Sequence, residues 1–355
     1  MVKSKNMLMY ISKRILVMVI MVFFVLVATF FLTHLMQVNP VLNKMSSDPR
    51  VPWEIYLEER ARIGADKPIF EKFLIYMSNF FQGNWGSSYI VAEGVPVTTL
   101  ISQVFPATFE LVLIPIILIP LLSVKLGISS AKHRNKWQDS IIRGGIMLGV
   151  CIPIFFLATI IQYFASNILN VYTYGVINLE TNSANSINIY YRNRLTGFRL
   201  IDAFLFNDQA LLHDSLLHII LPSIAAIIVS LASITRQTRA SMLDVMSKDY
   251  IRTARAKGVA EKDVINKHTL RNALIPTSNE IVGLVASLLI GSLFLEMIFN
   301  YKGMGWYLFA AIQGGDYVVI TGIVIVDSII ILSGTLVADI SVSYTHLTLP
   351  TILLV

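Results

Sequence analysis

Apolar residues run in long stretches along this chain, separated by polar segments that contain most of the charges. A helix needs about 20 mostly apolar residues to cross the hydrocarbon layer of a membrane. Six stretches meet that requirement, at approximately residues 13–35, 107–131, 141–168, 214–235, 277–299 and 318–340. The pattern therefore predicts an all-α integral membrane protein with six transmembrane helices. Pro115, Pro120 and Pro153 lie within these stretches and predict bends, because proline cannot donate a backbone hydrogen bond.

The composition agrees with this class. Of the 355 residues, 55% are hydrophobic and 14% are charged, whereas soluble domains carry about 25% charged residues. Cys151 is the single cysteine and lies in an apolar run. The composition therefore excludes a scaffold of disulfides within the chain, and we expect Cys151 to serve packing.

Basic residues are concentrated in segments that this topology places on one side of the membrane. These segments are the N-terminus, residues 1–12, and the loops near 132–143 and 236–276. Because cytoplasmic loops carry an excess of Lys and Arg, we expect both chain ends in the cytoplasm. The first stretch, 13–35, is too long for a signal-peptide core and lacks a following small-residue cleavage motif, so it predicts a retained anchor.

Two long polar segments fall on the opposite side. Residues 36–106 contain several X-Pro turns and an amphipathic stretch, which predict an extracytoplasmic segment with short helices on the membrane face. Residues 169–213 are rich in Asn, Ser, Thr and Tyr and predict a polar outer loop. Loops of this length are commonly functional or disordered. The transmembrane core then comprises residues 107–341.

The inner loop contains a charged stretch that predicts two short helices with a glycine between them. Residues 249–257, DYIRTARAK, are good helix formers, and Gly258 fits the left-handed position that ends such a helix. A second short helix is expected at about 260–272. It would begin at Ala260 without a polar cap, and Pro276 would then mark the start of the fifth span.

The positive charge of this stretch is compatible with more than one kind of binding partner. Its basic side chains are Arg252, Arg255, Lys257, Lys262, Lys267 and Arg271. A basic loop at the membrane surface would meet anionic lipid, at about 1 kcal/mol for each cation. Nucleic acid is a poor partner, because the stretch has one aromatic residue and is tied to the membrane at both ends.

The same stretch resembles a known family motif. DYIRTARAKG and HTLRNALIP are similar to the coupling loop of binding-protein-dependent ABC importer permeases, with Arg252-Thr253-Ala254 at the family's triplet and Gly258 at its glycine. Further pieces resemble the first permease of the oligopeptide, dipeptide and nickel subgroup in the same order along the chain. Among them are FQGNWGSSY (81–89), FPATFEL (105–111), CIPIFFLA (151–158) and the stretch from GSLFLEM (291–297) to residue 317.

The resemblance implies the type I ABC importer permease fold and an ATPase-coupling surface in the inner loop. The residues that it assigns to this surface are Tyr250, Arg252, Thr253, Ala254, Arg255, Ala256, Lys257, Gly258, His268, Arg271, Asn272 and Pro276. It also implies the partners: a second homologous permease, two ATP-binding subunits, an extracytoplasmic substrate-binding protein and membrane lipid. The location that it implies is the bacterial cytoplasmic (inner) membrane.

The chain itself is not expected to be an enzyme or to hold a cofactor. It has no phosphate-binding G-x-x-x-x-G-K-[ST] run and no H-E-x-x-H motif. ATP and Mg²⁺ are therefore expected on the partner subunits. His213 and His218 are five residues apart, which is a poor spacing for metal ligands on one helical face.

The resemblance implies short peptides as cargo, with nickel or another small solute as the alternative within the family. Two other functional classes, a membrane-embedded enzyme and a passive channel, are alternatives to a transporter. A membrane-embedded enzyme would need a polar catalytic constellation within the spans, where the sequence shows only scattered charges. A passive channel would not need an element that docks an ATPase.

Charged residues in or near the spans are candidates for the pathway, because ionisable groups at membrane depth are costly and usually face a cavity or the bundle interior. Glu110 and Glu296 lie near the outer ends, where we expect solvation at the interface. Asp327 lies deeper and is a weak candidate for the substrate pathway, although a structural hydrogen bond is an equal alternative. No other substrate-contacting residue is assigned.

The last residues depart from the family. From about residue 342 the chain contains SYTHLTLPT (343–351), which resembles translated sequencing-adapter DNA. Residues 342–355 are therefore expected to be non-native, and no function is assigned to them.

Overall fold

The computed structural model describes residues 2–35, 54, 57, 67–167 and 195–348. Within these residues the fold is helical, and one isolated antiparallel bridge joins Ser87 to Pro96. Much of the predicted segment 36–106, most of the predicted loop 169–213 and the end of the tail lie outside the described residues.

The helices within residues 97–167 and within 199–348 follow one another with short connections. In chain order they are α1 (Val2–Leu35), α2 (Ile69–Phe81), α3 (Val97–Lys132), α4 (Trp137–Cys151), α5 (Ile154–Asn167), α6 (Arg199–Leu205), α7 (Gln209–Met246), α8 (Asp249–Ala256), α9 (Glu261–Asp263), α10 (Leu270–Ile298), α11 (Met304–Gly314) and α12 (Tyr317–Thr348). A π-helical segment, Val264–Thr269, joins α9 to α10 without a break.

Five helical segments are long and apolar enough to cross a membrane. They are α3, α7, the continuous helix Glu261–Ile298 that contains α10, and the parts Ile11–Leu32 of α1 and Tyr317–Val337 of α12. The helices α4 and α5 pass the same test only as a pair, and counting the pair as one span gives six. The all-α class with membrane-spanning helices is thus confirmed.

The third span differs from the single helix expected over 141–168. Its two halves, α4 and α5, are bent by 100° relative to each other. The break falls at Ile152 and Pro153, where Ile152 has the extended angles φ −90° and ψ 117°. Proline disfavours a helical conformation in the residue before it, which explains the break. By contrast, α3 remains one helix through Pro106, Pro115 and Pro120.

The bundle is centred on α7, which lies between α3 and α10. Side chains from these three helices form the main apolar core, which includes Leu111, Ile119, Ile219 and Leu295. A second cluster joins the start of α3 to α11 and α12 through Val97, Val104, Met304, Val319 and Ile323. Packing of this kind holds membrane helices together, because lipid supplies no hydrophobic drive between them.

A close approach of α3 and α7 depends on one glycine. A Cβ added to Gly127 would lie 2.5 Å from the Cβ of Thr238 and 3.1 Å from the carbonyl oxygen of Thr235. Small residues at such crossings allow membrane helices to approach closely. The contact lies toward the end of the bundle that carries α8.

Candidate functional site

The stretch between α7 and α10 folds into a short helix, a tight turn and a second helix, as the sequence predicted. Gly258 follows α8 with a φ of +78°. Its backbone N–H donates to the carbonyl of Arg255 at 2.9 Å, and the N–H of Val259 donates to that of Ala254 at 3.2 Å. This pair of bonds is the Schellman motif, which requires a left-handed residue and therefore favours glycine.

One face of α8 packs on its own chain. Ile251 is fully buried, and Ala254 and Val259 lie beside it against a cluster that includes Met242 and Val264. Ala254 and Val259 occupy the two positions of a Schellman turn that are commonly apolar, and both pack against this cluster. The inward face therefore fixes the position of α8 beneath the bundle.

The opposite face of α8 and its turn are exposed. Of the predicted coupling residues, those that face outward here are Tyr250, Arg252, Thr253, Arg255, Ala256, Lys257 and Gly258. Ala254 is half-buried, so it belongs to the packed face rather than to the exposed one. The sequence could not separate the two faces, because small residues occur on both.

An ion pair spans the turn. The Nη2 of Arg255 donates to Oε1 of Glu261 at 2.8 Å, and its Nε donates to Oε2 at 3.1 Å. The hydrogen bonds to Glu261 raise the pKa of Arg255. Ala260, which precedes α9, makes no side-chain cap, as expected for alanine. The pair with Arg255 instead holds Glu261, and with it the first turn of the second helix.

A second contact joins α8 to the base of α10. The Nδ2 of Asn272 donates to the hydroxyl of Tyr250 at 2.9 Å and to the carbonyl of His268 at 3.2 Å. His268 and Arg271 are exposed nearby. The structure thus brings the predicted residues of 268–272 next to the start of α8.

The expected boundary between the second short helix and the fifth span is wrong. The helix runs without interruption from Glu261 to Ile298, and Pro276 lies inside α10 rather than at its start. The π-helical segment accommodates this continuity, since the hydroxyl of Thr269 donates to the carbonyl of Val264 at 2.9 Å. The helix that follows the Gly258 turn therefore extends directly into the fifth span.

Three elements at the same end of the bundle meet at Asp139, which the sequence did not single out. Its buried carboxylate accepts from the Nε and Nη2 of Arg239, both at 2.9 Å, and from the hydroxyl of Ser130 at 2.5 Å. These contacts join α3, α4 and α7. A lone acid in the basic segment 132–143 was the available signal.

Glu110 and Glu296, at the end of the bundle opposite to α8, lie in environments that differ from those expected. Glu110 and Glu296 are 2% and 0% exposed, so the expected solvation at the interface is wrong. Glu296 accepts from the hydroxyl of Thr108 at 2.8 Å and from the N–H of Trp306 at 3.0 Å. Glu110 accepts from the N–H of Leu200 at 2.8 Å. Both carboxylates therefore organise the short helices α11 and α6.

A polar cleft opens between α7 and α10, with a volume of about 430 Å³. It is lined by Ser230, Ser233, Ile234, Asn279, Glu280, Gly283, Leu284 and Ser287. The hydroxyl of Ser233 donates to Oε2 of Glu280 at 3.3 Å. Asp327, the weak pathway candidate, is not among the residues that line the cleft.

Sequence reasoning missed this cleft, although a signal was present. Glu280 is a charge within the predicted span 277–299, and Gly283 and Ser287 follow it at helical spacing. Residues three or four positions apart share one face of a helix. A charged position followed by small and polar positions on one face indicates a water-accessible side of a span.

Comparison with known proteins gives a consistent result. Residues 123–346 match the family described as binding-protein-dependent transport system inner membrane component. The chain is 35% identical over 328 residues to the di/tripeptide transport system permease protein of Pseudomonas aeruginosa, covering 92% of this chain and 94% of that one.

Two further relatives are dipeptide transport system permease proteins. The protein of Alkalihalophilus pseudofirmus is 33% identical over 95% of this chain and 98% of its own length. The protein of Lactococcus lactis is 31% identical over 94% of this chain and 96% of its own length. The likeness in all three cases extends over nearly the whole of both chains.

Proposed function

This chain belongs to the family of binding-protein-dependent transport system inner membrane components, and we propose that it forms the pathway for short peptides in an ATP-driven importer. The observation that carries the proposal is its likeness, over 92% of its length, to a di/tripeptide transport permease. The other relatives named above are dipeptide permeases. They favour peptides over nickel, the alternative cargo.

The exposed face of α8 is the proposed contact for an ATP-binding subunit. It is anchored from behind by Ile251 and Ala254, and the Gly258 turn joins it to the helix Glu261–Ile298, which extends into the fifth span. A rigid element that is packed on one side and exposed on the other suits the transfer of a partner's movement. Closure of the two ATP-binding subunits on ATP would then shift the bundle between its inward-open and outward-open states.

The proposed assembly contains a second homologous permease, two ATP-binding subunits and an extracytoplasmic binding protein. The chain holds no cofactor of its own in this proposal, and ATP and Mg²⁺ bind to the partners. The basic segments of the sequence support a cytoplasmic N-terminus and a location of α8 on the cytoplasmic side of the inner membrane.

Uptake into proteoliposomes tests the proposal. The purified complex, with its binding protein outside and ATP inside, would be supplied with labelled dialanine or with labelled Ni²⁺. We expect uptake of dialanine that requires ATP, the binding protein and the ATP-binding subunits. Entry of Ni²⁺ without dialanine would overturn the peptide cargo, and entry of dialanine without ATP would overturn the importer.

A further inference from the structure

Glu280 lies within the fifth span, in the part nearer to α8. It is the fourth residue of the predicted span 277–299 and lies eighteen residues before Ile298, the last residue of α10. Its side chain is exposed in the cleft between α7 and α10. Carboxylates within a membrane span are costly and face protein or a water-filled cavity rather than lipid.

Glu280 has a hydrogen-bond donor beside it but no cation. Within the described part of the chain, its carboxylate accepts from Ser233, and no Lys, Arg or His forms an ion pair with it. By comparison, the buried Asp139 at the α8 end is matched by Arg239. The charge of Glu280 is therefore open to a cation that comes from outside this chain.

The groups around Glu280 are suited to an ammonium ion. Ser230, Ser233, Asn279 and Ser287 line the cleft with it, and their oxygens are hydrogen-bond acceptors. An ammonium group has three donors and no acceptor. A carboxylate with neighbouring hydroxyl and amide oxygens can therefore satisfy both its charge and its donors.

The cleft is also large enough for a small cargo. Its volume of about 430 Å³ falls within the range of about 300–1,000 Å³ that is typical of small-molecule sites. We infer that Glu280 meets a primary ammonium group of the passing peptide, and so selects for positive charge within the pathway. This inference rests on the proposed peptide transport.

Charge variants at Glu280 test the inference. Uptake of labelled Lys-Ala, Ala-Ala and Glu-Ala would be measured in proteoliposomes for the wild type, Glu280→Asp, Glu280→Gln and Glu280→Lys. The same binding protein is used throughout, so its own preference cancels when ratios are compared between variants. If the side-chain ammonium is the source, we expect the ratio of Lys-Ala to Glu-Ala uptake to fall about fivefold in Glu280→Lys, less in Glu280→Gln and little in Glu280→Asp.

The arms of the experiment separate the two sources of the ammonium group. A fall for Lys-Ala alone identifies the side-chain ammonium. An equal fall for all three peptides in Glu280→Lys that Glu280→Asp does not show identifies the amino terminus, which every peptide carries. Glu71→Lys, in α2 and outside the cleft, is the control that should leave the ratio unchanged. Absence of any peptide uptake by the wild type would count against the proposed function itself.

Two results would overturn the inference while peptide transport stands. One is uptake of all three peptides by Glu280→Lys at the wild-type rates. The other is loss of the assembled complex in Glu280→Gln, judged by gel filtration, because Glu280 would then bind the partner permease instead of the cargo.

Discussion

The guanidinium of Arg255 donates two hydrogen bonds, at 2.8 and 3.1 Å, to the carboxylate of Glu261 on the other side of the glycine turn that follows α8. The two residues lie on opposite sides of Gly258, so the pair fixes the angle between α8 and the helix that leads into the fifth span. Both side chains are also partly exposed, at 38% and 52%. Their contribution is therefore one of geometry more than of stability.

Reversal of this pair is expected to affect coupling and to leave stability nearly unchanged. Arg255→Glu should lower the number of peptides transported per ATP hydrolysed, because two carboxylates then repel each other across the turn. The free energy of unfolding should change by less than about 1 kcal/mol, as for other exposed pairs. The double variant Arg255→Glu with Glu261→Arg should recover part of the coupling. If the double variant is no better than the single one, the pair does not set the angle.

Gly258 is expected to tolerate a side chain sterically but not conformationally. A Cβ at this position would meet nothing within 4 Å, but the φ of +78° is unfavourable for alanine. Gly258→Ala should therefore lower the stability of the turn by about 1–2 kcal/mol, and Gly258→Asn should lower it less. Thermal unfolding of the purified chain would show the order glycine, asparagine, alanine. Equal melting temperatures for all three would contradict the left-handed turn.

The buried ion pair of Asp139 and Arg239 should contribute far more to stability than the exposed pair of Asp139 and Arg143. Arg239 contacts Asp139 at 2.9 Å with 20% of its side chain exposed, whereas Arg143 lies at 3.7 Å with 53% exposed. Removal of one partner from a buried pair costs about 3–5 kcal/mol. Asp139→Asn should therefore reduce the melting temperature and the membrane yield sharply. Arg143→Gln is the matched control and should have little effect.

Gly303 is expected to be intolerant of alanine for reasons of space. An added Cβ would lie 2.7 Å from the Cδ of Glu296 and would overlap the hydroxyl of Thr108. Overpacking of this kind costs about 1–3 kcal/mol, so Gly303→Ala should lower the melting temperature. Gly144→Ala is the control, because its Cβ would meet nothing within 4 Å. Equal behaviour of the two variants would contradict the close approach at Gly303.

The sequence predicted the membrane-spanning helices and the turn at Gly258 because both depend on local patterns. Apolar length indicates a span, and glycine after a short helix indicates a left-handed turn. The partners of buried acids depend instead on residues far apart in the chain. Glu296 meets Thr108 and Asp139 meets Arg239, and no local periodicity reveals either pair. A break at Pro153 was indicated by the proline itself, but the local sequence does not give its angle of 100°.

The proposed docking face can be tested by making the same alanine-to-glutamate substitution on the exposed and on the packed side of α8. Ala256 is exposed, whereas Ala254 packs against the base of the bundle. Ala256→Glu should leave the melting temperature of the chain unchanged while it prevents co-purification of the ATP-binding subunits, because a charged side chain would intrude into their contact. Ala254→Glu should lower the melting temperature and also prevent co-purification, since it places a carboxylate against Ile251 and Val259. Normal assembly and ATP-dependent uptake in Ala256→Glu would show that the ATP-binding subunits contact this chain elsewhere.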